Sequence, residues 1–139
     1  MYEKSGLVFG VGVALIAVEL VGDGLQAGAA LDTWAKADPT AVRALNEASF
    51  PMYGAIGLIL SALLLASAGY AILATSVLHK WTGWVAYVAA IASLAAAPSV
   101  LGGTDITGFY TASGYAPFIA QAAMLIWFFL ASISSIAKR

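Results

Sequence analysis

The sequence predicts an all-α protein that crosses a membrane as a bundle of four helices, with a short interfacial helix between the first and second spans. Two observations carry this expectation. Composition is the first: 62% of the 139 residues are hydrophobic, only 9% are charged and the mean hydropathy is +0.92. Soluble domains carry roughly a quarter of their residues as charges. The second is run length, because a helix needs about 20 apolar residues to cross a bilayer. Four such runs fit, at about 6–31, 52–78, 82–101 and 116–137. None alternates apolar and polar residues as a barrel strand would, and the length leaves room for a single domain over 1–139.

The first run begins after Lys4, and its segment 7–18 followed by Ala27, Gly28 and Ala29 loosely imitates a secretory signal. Glu19 and Asp23 interrupt the apolar core before any cleavage site, so the segment is expected to be retained as span 1. Between spans 1 and 2, Asp38 followed by Pro39 is a helix-start signal, an N-cap acceptor before a first-turn residue whose missing N–H costs nothing. That short helix should run to about Ser49, with Ala41, Val42 and Leu45 on one side and Arg43, Asn46 and Glu47 on the other. Pro51 should then break the chain into span 2. Lying along the outer interface is the expected position of this helix.

Span 2 is interrupted only by Ser61, Ser67 and Thr75, and a tight basic connection of His79, Lys80 and Trp81 leads to span 3. Pro98 should kink span 3 and free a carbonyl near Leu94. The connection 102–115, rich in Gly, Ser and Thr and carrying Phe109, Tyr110 and Tyr115, reads as an irregular interfacial turn. Span 4 closes at Lys138 and Arg139. Lys4, Lys80, Lys138 and Arg139 then share one side and Lys36 and Arg43 the other, so the positive-inside rule puts both termini in the cytoplasm of a bacterial cell. Trp34, Trp81, Trp84 and Trp127 lie at or within a few turns of the predicted ends, where an amphipathic ring favours headgroups.

Composition also excludes chemistries. A net charge of −1 with six Lys and Arg gives no basic face for nucleic acid. With no Cys there is no disulfide, thiol or iron–sulfur chemistry, and a lone His79 cannot supply paired haem ligands. No metal site and no cofactor are expected.

The residues that point to chemistry are polar ones in span 1. Gly12, Ile16, Glu19, Asp23, Gln26 and Ala30 recur at steps of four and three, one stripe on a helix. An acid at the centre of a bilayer costs at least about 2.5–3.5 kcal/mol, and such residues face protein or water rather than lipid. No Lys, Arg or His falls inside the spans to pair with them. Protonation, a bound cation, a water-filled cavity or a base from another chain must compensate instead. Span 4 offers Gln121, Phe128 and Ser135 at seven-residue steps, the stripe expected to face Glu19 and Asp23. Gly6 with Gly10, and Gly24 with Gly28, carry the spacing that lets another backbone approach, which nominates span 1 as the packing centre.

A four-span chain with an acid in its first helix resembles the small multidrug resistance transporters, and the resemblance covers only residues 14–24. It implies an acid that binds protons and cationic drugs in a dimer. Asp23, the greater length and the charged loop after span 1 depart from that family. The expected function is a carboxylate site, Glu19, Asp23, Gln26 and Gln121, that binds or moves a proton, a cation or a small amphiphile. Two other classes fit the same residues: an accessory subunit of a larger membrane complex or a homo-oligomer, and a membrane enzyme of isomerase or cyclase type using the carboxylates as acid and base.

Overall fold

In the computed structural model, which describes residues 2–34, 38–103, 105 and 107–138, every regular element among the described residues is a helix. α1 is Tyr2–Trp34 and α2 is Pro39–Pro51. A π-type turn, Met52–Ile56, joins α2 to α3, Gly57–Thr75. α4 is Lys80–Ala96, extended by a 3-10 turn Ala97–Gly102, and α5 is Tyr115–Ala137. Four stretches are long and apolar enough to cross a membrane: Gly6–Leu31, Pro39–Thr75, Lys80–Gly102 and Tyr115–Ala137. Lys36 and Arg139 lie outside the described residues.

Asp38 caps α2 as its sequence requires, its side chain accepting the Thr40 N–H at 2.9 Å with Pro39 in the first turn. Pro51 withholds the donor that the Glu47 carbonyl would receive, and the helix breaks within a turn of it. There the Gly57 N–H reaches back five residues to the Met52 carbonyl, and Gly54 leaves helical geometry with ψ at −105°. The stretch Pro39–Thr75 is therefore two helices, α2 and α3, joined through a kink at Gly54.

The packing centre is the α3–α4 pair, not α1. Their backbones approach at Gly69 and Gly83: a Cβ on Gly69 would lie 2.9 Å from the Gly83 carbonyl oxygen, and one on Gly83 would lie 2.9 Å from Leu73 Cγ. Small residues therefore let the helices touch, as Ala62, Ala68, Ala86, Ala89 and Ala90 do around Leu65 and Ile72. α5 closes this core with Trp127, whose indole N–H donates to the Thr82 carbonyl at 2.9 Å. α1 is peripheral. In its apolar stretch 11% of residues are buried, against 56% in that of the helix ending at Thr75. Gly6, Gly10 and Gly24 have nothing near them that a Cβ would meet. Their spacing is real, but no described residue uses it.

α1 instead meets the long helix along an antiparallel seam. Gly12 lies by Leu64, Gly22 by Tyr53, Gln26 by Ser49 and Gly28 by Leu45, so each step up one helix is matched by a step down the other. α2 is therefore a continuation of α3 beside the C-terminal part of α1. At about 1.5 Å per residue, the 33 residues of α1 span roughly 50 Å, beyond the roughly 30 Å of a hydrocarbon core.

The opposite end is tied by side chains. α3 closes at Ser76, a left-handed residue (φ 53°) whose N–H bonds the Ile72 carbonyl at 2.8 Å. Lys138, at the end of α5, donates to the carbonyls of Ser76 and Leu78. Ser134 Oγ accepts the His79 N–H at 3.2 Å and lies 2.8 Å from its ring Nδ1, so the one histidine is occupied in this tie.

This arrangement orders the glycines by consequence. Gly83→Val should lower stability by about 1–3 kcal/mol through forced separation of α3 and α4. Gly6→Val and Gly10→Val should stay within about 0.5 kcal/mol of the parent, as open surface changes do. Thermal unfolding of the three variants in one detergent checks the order.

Candidate functional site

α1 carries its polar residues to the seam, and the seam determines their partners. Tyr53 donates its hydroxyl to Asp23 Oδ1 across the gap between α1 and the π turn. Gly22 makes room for this, since a Cβ there would stand 2.8 Å from Tyr53 Cζ. One turn along, Gln26 Nε2 donates to Ser49 Oγ at 3.3 Å, and Ser49, fully buried, donates onward to the Asn46 carbonyl at 2.7 Å. Glu19 sits half-buried one turn before Asp23, and Asp23 is exposed. No ion pair joins either acid to a base among the described residues.

Gln121 does not belong to this group. α5 packs on α4, and more lightly on α3, rather than on α1. Among the described residues no hydrogen bond links Gln121 to Glu19, Asp23 or Gln26. The side chains that meet the polar residues of α1 come from α2 and the π turn, and α3 packs on α1 nearer its N-terminal half. Tyr53 was the residue to find, an aromatic hydroxyl between Pro51 and Gly57, at the end of a span already thought to begin at 52.

Depth in the bundle also differs from expectation. A run of 6–31 puts Glu19 at mid-span, but the structure puts the site near one end of the four-helix overlap. The π turn packs on the 3-10 turn that ends α4, with Gly54 against Val100. Asp23, bonded to Tyr53, is thus level with the C-terminal end of α4 and the start of α5. Because α2 extends α3 past Pro51, the α1–α2 pair overruns the α4–α5 pair, and the midpoint of α1 is not the midpoint of the bundle.

The connection 103–114 lies at this same end and is folded on itself. Asp105 Oδ1 accepts the N–H and hydroxyl of Thr107, both at 2.8 Å, and Thr111 Oγ1 donates to the Asp105 carbonyl. Ala112 N–H reaches the Gly103 carbonyl at 2.9 Å, and Ala116 N–H the Phe109 carbonyl at 2.9 Å. Tyr110 donates its hydroxyl to the Ala95 carbonyl. Pro98 explains that acceptor: where the ladder tightens to 3-10, the donor for Ala95 would be the N–H three residues on, which proline lacks. The carbonyl given an outside donor is therefore that of Ala95 rather than Leu94. Phe109 and Tyr110 also line an apolar hollow of about 200 Å³ between α4 and α5, floored by Ala92, Ala95, Ala96 and Ala120. It holds no charged or metal-ligating side chain. Among the described residues no group of three or more His, Asp or Glu side chains converges as a metal site would need.

Chemically, the seam offers a carboxylate bonded to a phenol, a second carboxylate one turn away, and an amide–hydroxyl pair. The set can hold or pass a proton or neutralise a positive charge, and its partial exposure leaves it reachable from the side of α1.

Two outcomes follow. In a double-mutant cycle read by thermal stability, Asp23→Ala and Tyr53→Phe should couple by about 0.5–3 kcal/mol, while Asp23→Ala and Gln121→Ala should add within about 0.5 kcal/mol. The second concerns the outer connection. Its two hydrogen bonds from Thr107 hold the Asp105 carboxyl below the usual carboxylate range. Stability from this turn is full above the ordinary carboxylate pKa and is lost as pH falls through the lower, folded value. Amide exchange at Thr107, corrected for intrinsic rate, should therefore accelerate below about pH 4 and be flat above it in Asp105→Asn. No family model matches this sequence, and no curated protein or solved structure matches it.

Proposed function

We propose that the chain is a small polytopic protein of a bacterial cytoplasmic membrane. In this reading Glu19, Asp23 and Gln26, with Tyr53 and Ser49, bind or move a proton, a cation or a small amphiphile. The observation that carries the reading is the Tyr53–Asp23 hydrogen bond with Glu19 one turn away and, among the described residues, no base in an ion pair with either acid. Two carboxyl groups without a cationic partner favour uptake of positive charge, and a phenol on one of them keeps that group oriented for exchange. Gln121 takes no part.

The orientation follows the lysines. Lys80 and Lys138 belong to one end of the bundle, and the site belongs to the other, so both termini are cytoplasmic and the site faces the outer leaflet. The excess length of α1 and α2 supports a position for the polar side of α2, with Arg43 and Glu47 exposed and paired at 2.6 Å, among the outer headgroups.

The experiment is flux into liposomes containing the purified chain, with a proton gradient and a lipophilic amine as probes. Proton-coupled flux present in the parent and reduced at least about tenfold in both Glu19→Gln and Asp23→Asn supports the site. Equal flux in parent and variants contradicts it.

A second reading has its own observation: the outward side of α1, from Leu7 through Val13 and Leu20 to Leu31, is apolar and exposed, and its glycines are open. A subunit of a larger assembly, or of a homo-oligomer, would have such a helix. The mass of the complex released gently from native membranes distinguishes the two, since a partner in fixed ratio favours the subunit and a lone chain the self-contained site.

A further inference from the structure

The π turn is the one place where the long helix departs from regular geometry, and it stands where the site is made. A π turn holds one residue more than the α-helical ladder would, so the two segments it joins are out of phase by one position. Because Gly54 also lies outside helical geometry, returning the joint to α geometry would change both the rotation and the direction of α2 relative to α3. Three contacts with α1 depend on the present phase. They are Tyr53 on Asp23 within the turn, and Ser49 on Gln26 and Leu45 on Gly28 beyond it.

The sequence contains a device that holds this phase. A Cβ on Gly57 would stand inside the contact distance of the Met52 carbonyl oxygen, the very oxygen that accepts the Gly57 N–H in the wide turn. Because that atom is backbone, it cannot swing aside as a flexible side chain would. Glycine at 57 is therefore a requirement of the π register and not of an α-helix, in which alanine is the better residue. On the α3 side, Leu58, Ser61 and Leu65 are buried and fixed. On the α2 side, among the described residues the helix packs chiefly on α1, and the 3-10 turn packs on the π turn itself.

We infer that the Pro51–Gly57 joint is a register switch, in which the Tyr53–Asp23 hydrogen bond holds α2 in its present phase and release of that bond lets α2 rotate. The inference rests on the reading of Asp23 as part of the site, and assigns to it a conformational response. A ligand that takes the Asp23 carboxylate from Tyr53 weakens the π phase, and a change of phase in turn removes Tyr53 from Asp23. Such linkage is reciprocal. The element that moves is the α1–α2 side of the bundle, and the α3–α4–α5 core stays still.

The chain has no cysteine of its own, which makes a paired-cysteine test clean. Gly28→Cys with Leu45→Cys reports the α2 phase, and His79→Cys with Ser134→Cys reports the tie at the far end. Each pair is introduced into the full chain in liposomes, in parent, Gly57→Ala and Tyr53→Phe backgrounds, and treated with a short thiol crosslinker. The 28–45 yield should fall at least about fivefold in Gly57→Ala and measurably in Tyr53→Phe, as expected for a change in the population of two phases. The 79–134 yield should be unchanged. An unaltered 28–45 yield in both backgrounds overturns the switch. If Gly57→Ala also loses the 79–134 crosslink, that variant is misfolded and Tyr53→Phe alone decides: a selective fall at 28–45 supports the switch and no fall overturns it. Crosslinking does not depend on transport. A chain without flux that still changes phase loses only the functional reading, and one with acid-dependent flux but a fixed phase loses only this inference.

Discussion

α1 packs on the molecule along its antiparallel seam with α2, the π turn and α3, and among the described residues the hydrogen-bond partners of Asp23 and Gln26 lie on that seam. A carboxyl group on an apolar helix must be matched or neutralised, because lipid offers no hydrogen bonds and an unmatched polar group there costs several kcal/mol. Asp23 is matched by Tyr53 and Gln26 by Ser49, both from the long helix. The geometry of that helix, above all the wide turn that Gly57 permits, therefore governs where the polar residues of α1 can be satisfied. Glu19, half-buried on the same stripe, is in the proposed reading the member of the set left to a ligand, a proton or a further chain.

The rest of the bundle is built differently, and the contrast separates scaffold from site. α3, α4 and α5 meet through alanine and glycine, with Gly69 against Gly83 at the closest point and Trp127 bonded to Thr82 across the interior. Lys138 and the His79–Ser134 contact fasten the end away from the site. At the site end the fastening is by loop hydrogen bonds and by a single tyrosine on either side, Tyr53 toward α1 and Tyr110 toward α4. α1 and α2 pack on each other and on α3 and the π turn, so the seam joins them to the three-helix core.

Much of this was legible in the residues, for physical reasons that also explain the misses. Apolar run length is set by the thickness a helix must cross, so the four spanning segments emerged, the first, third and fourth with their ends within a few residues, whereas the apolar stretch of the second starts at Pro39 rather than 52. Asp38–Pro39 named the start of α2 because capping is local chemistry. Pro51 marked the break between α2 and α3 because a lost backbone donor is also local chemistry, and the helix gives way at Gly54 three residues on. The glycine pairs of α1 misled because spacing permits an approach without requiring one. Gly69 and Gly83, far apart in sequence, gave no local sign of meeting. For the site, the stripe Glu19, Asp23 and Gln26 was readable from helical period alone, whereas its partners depended on the register of two helices. That register sent the stripe toward Tyr53 and Ser49 instead of Gln121.

If the acids of α1 with Tyr53 take up positive charge, binding of a lipophilic cation must displace protons. Proton release from the purified chain, in weakly buffered detergent solution, during titration with a lipophilic cation such as tetraphenylphosphonium measures this directly. Saturable release that disappears when Glu19→Gln and Asp23→Asn are combined is the expected result. Release that is absent from the parent, or equal in parent and double variant, would contradict it.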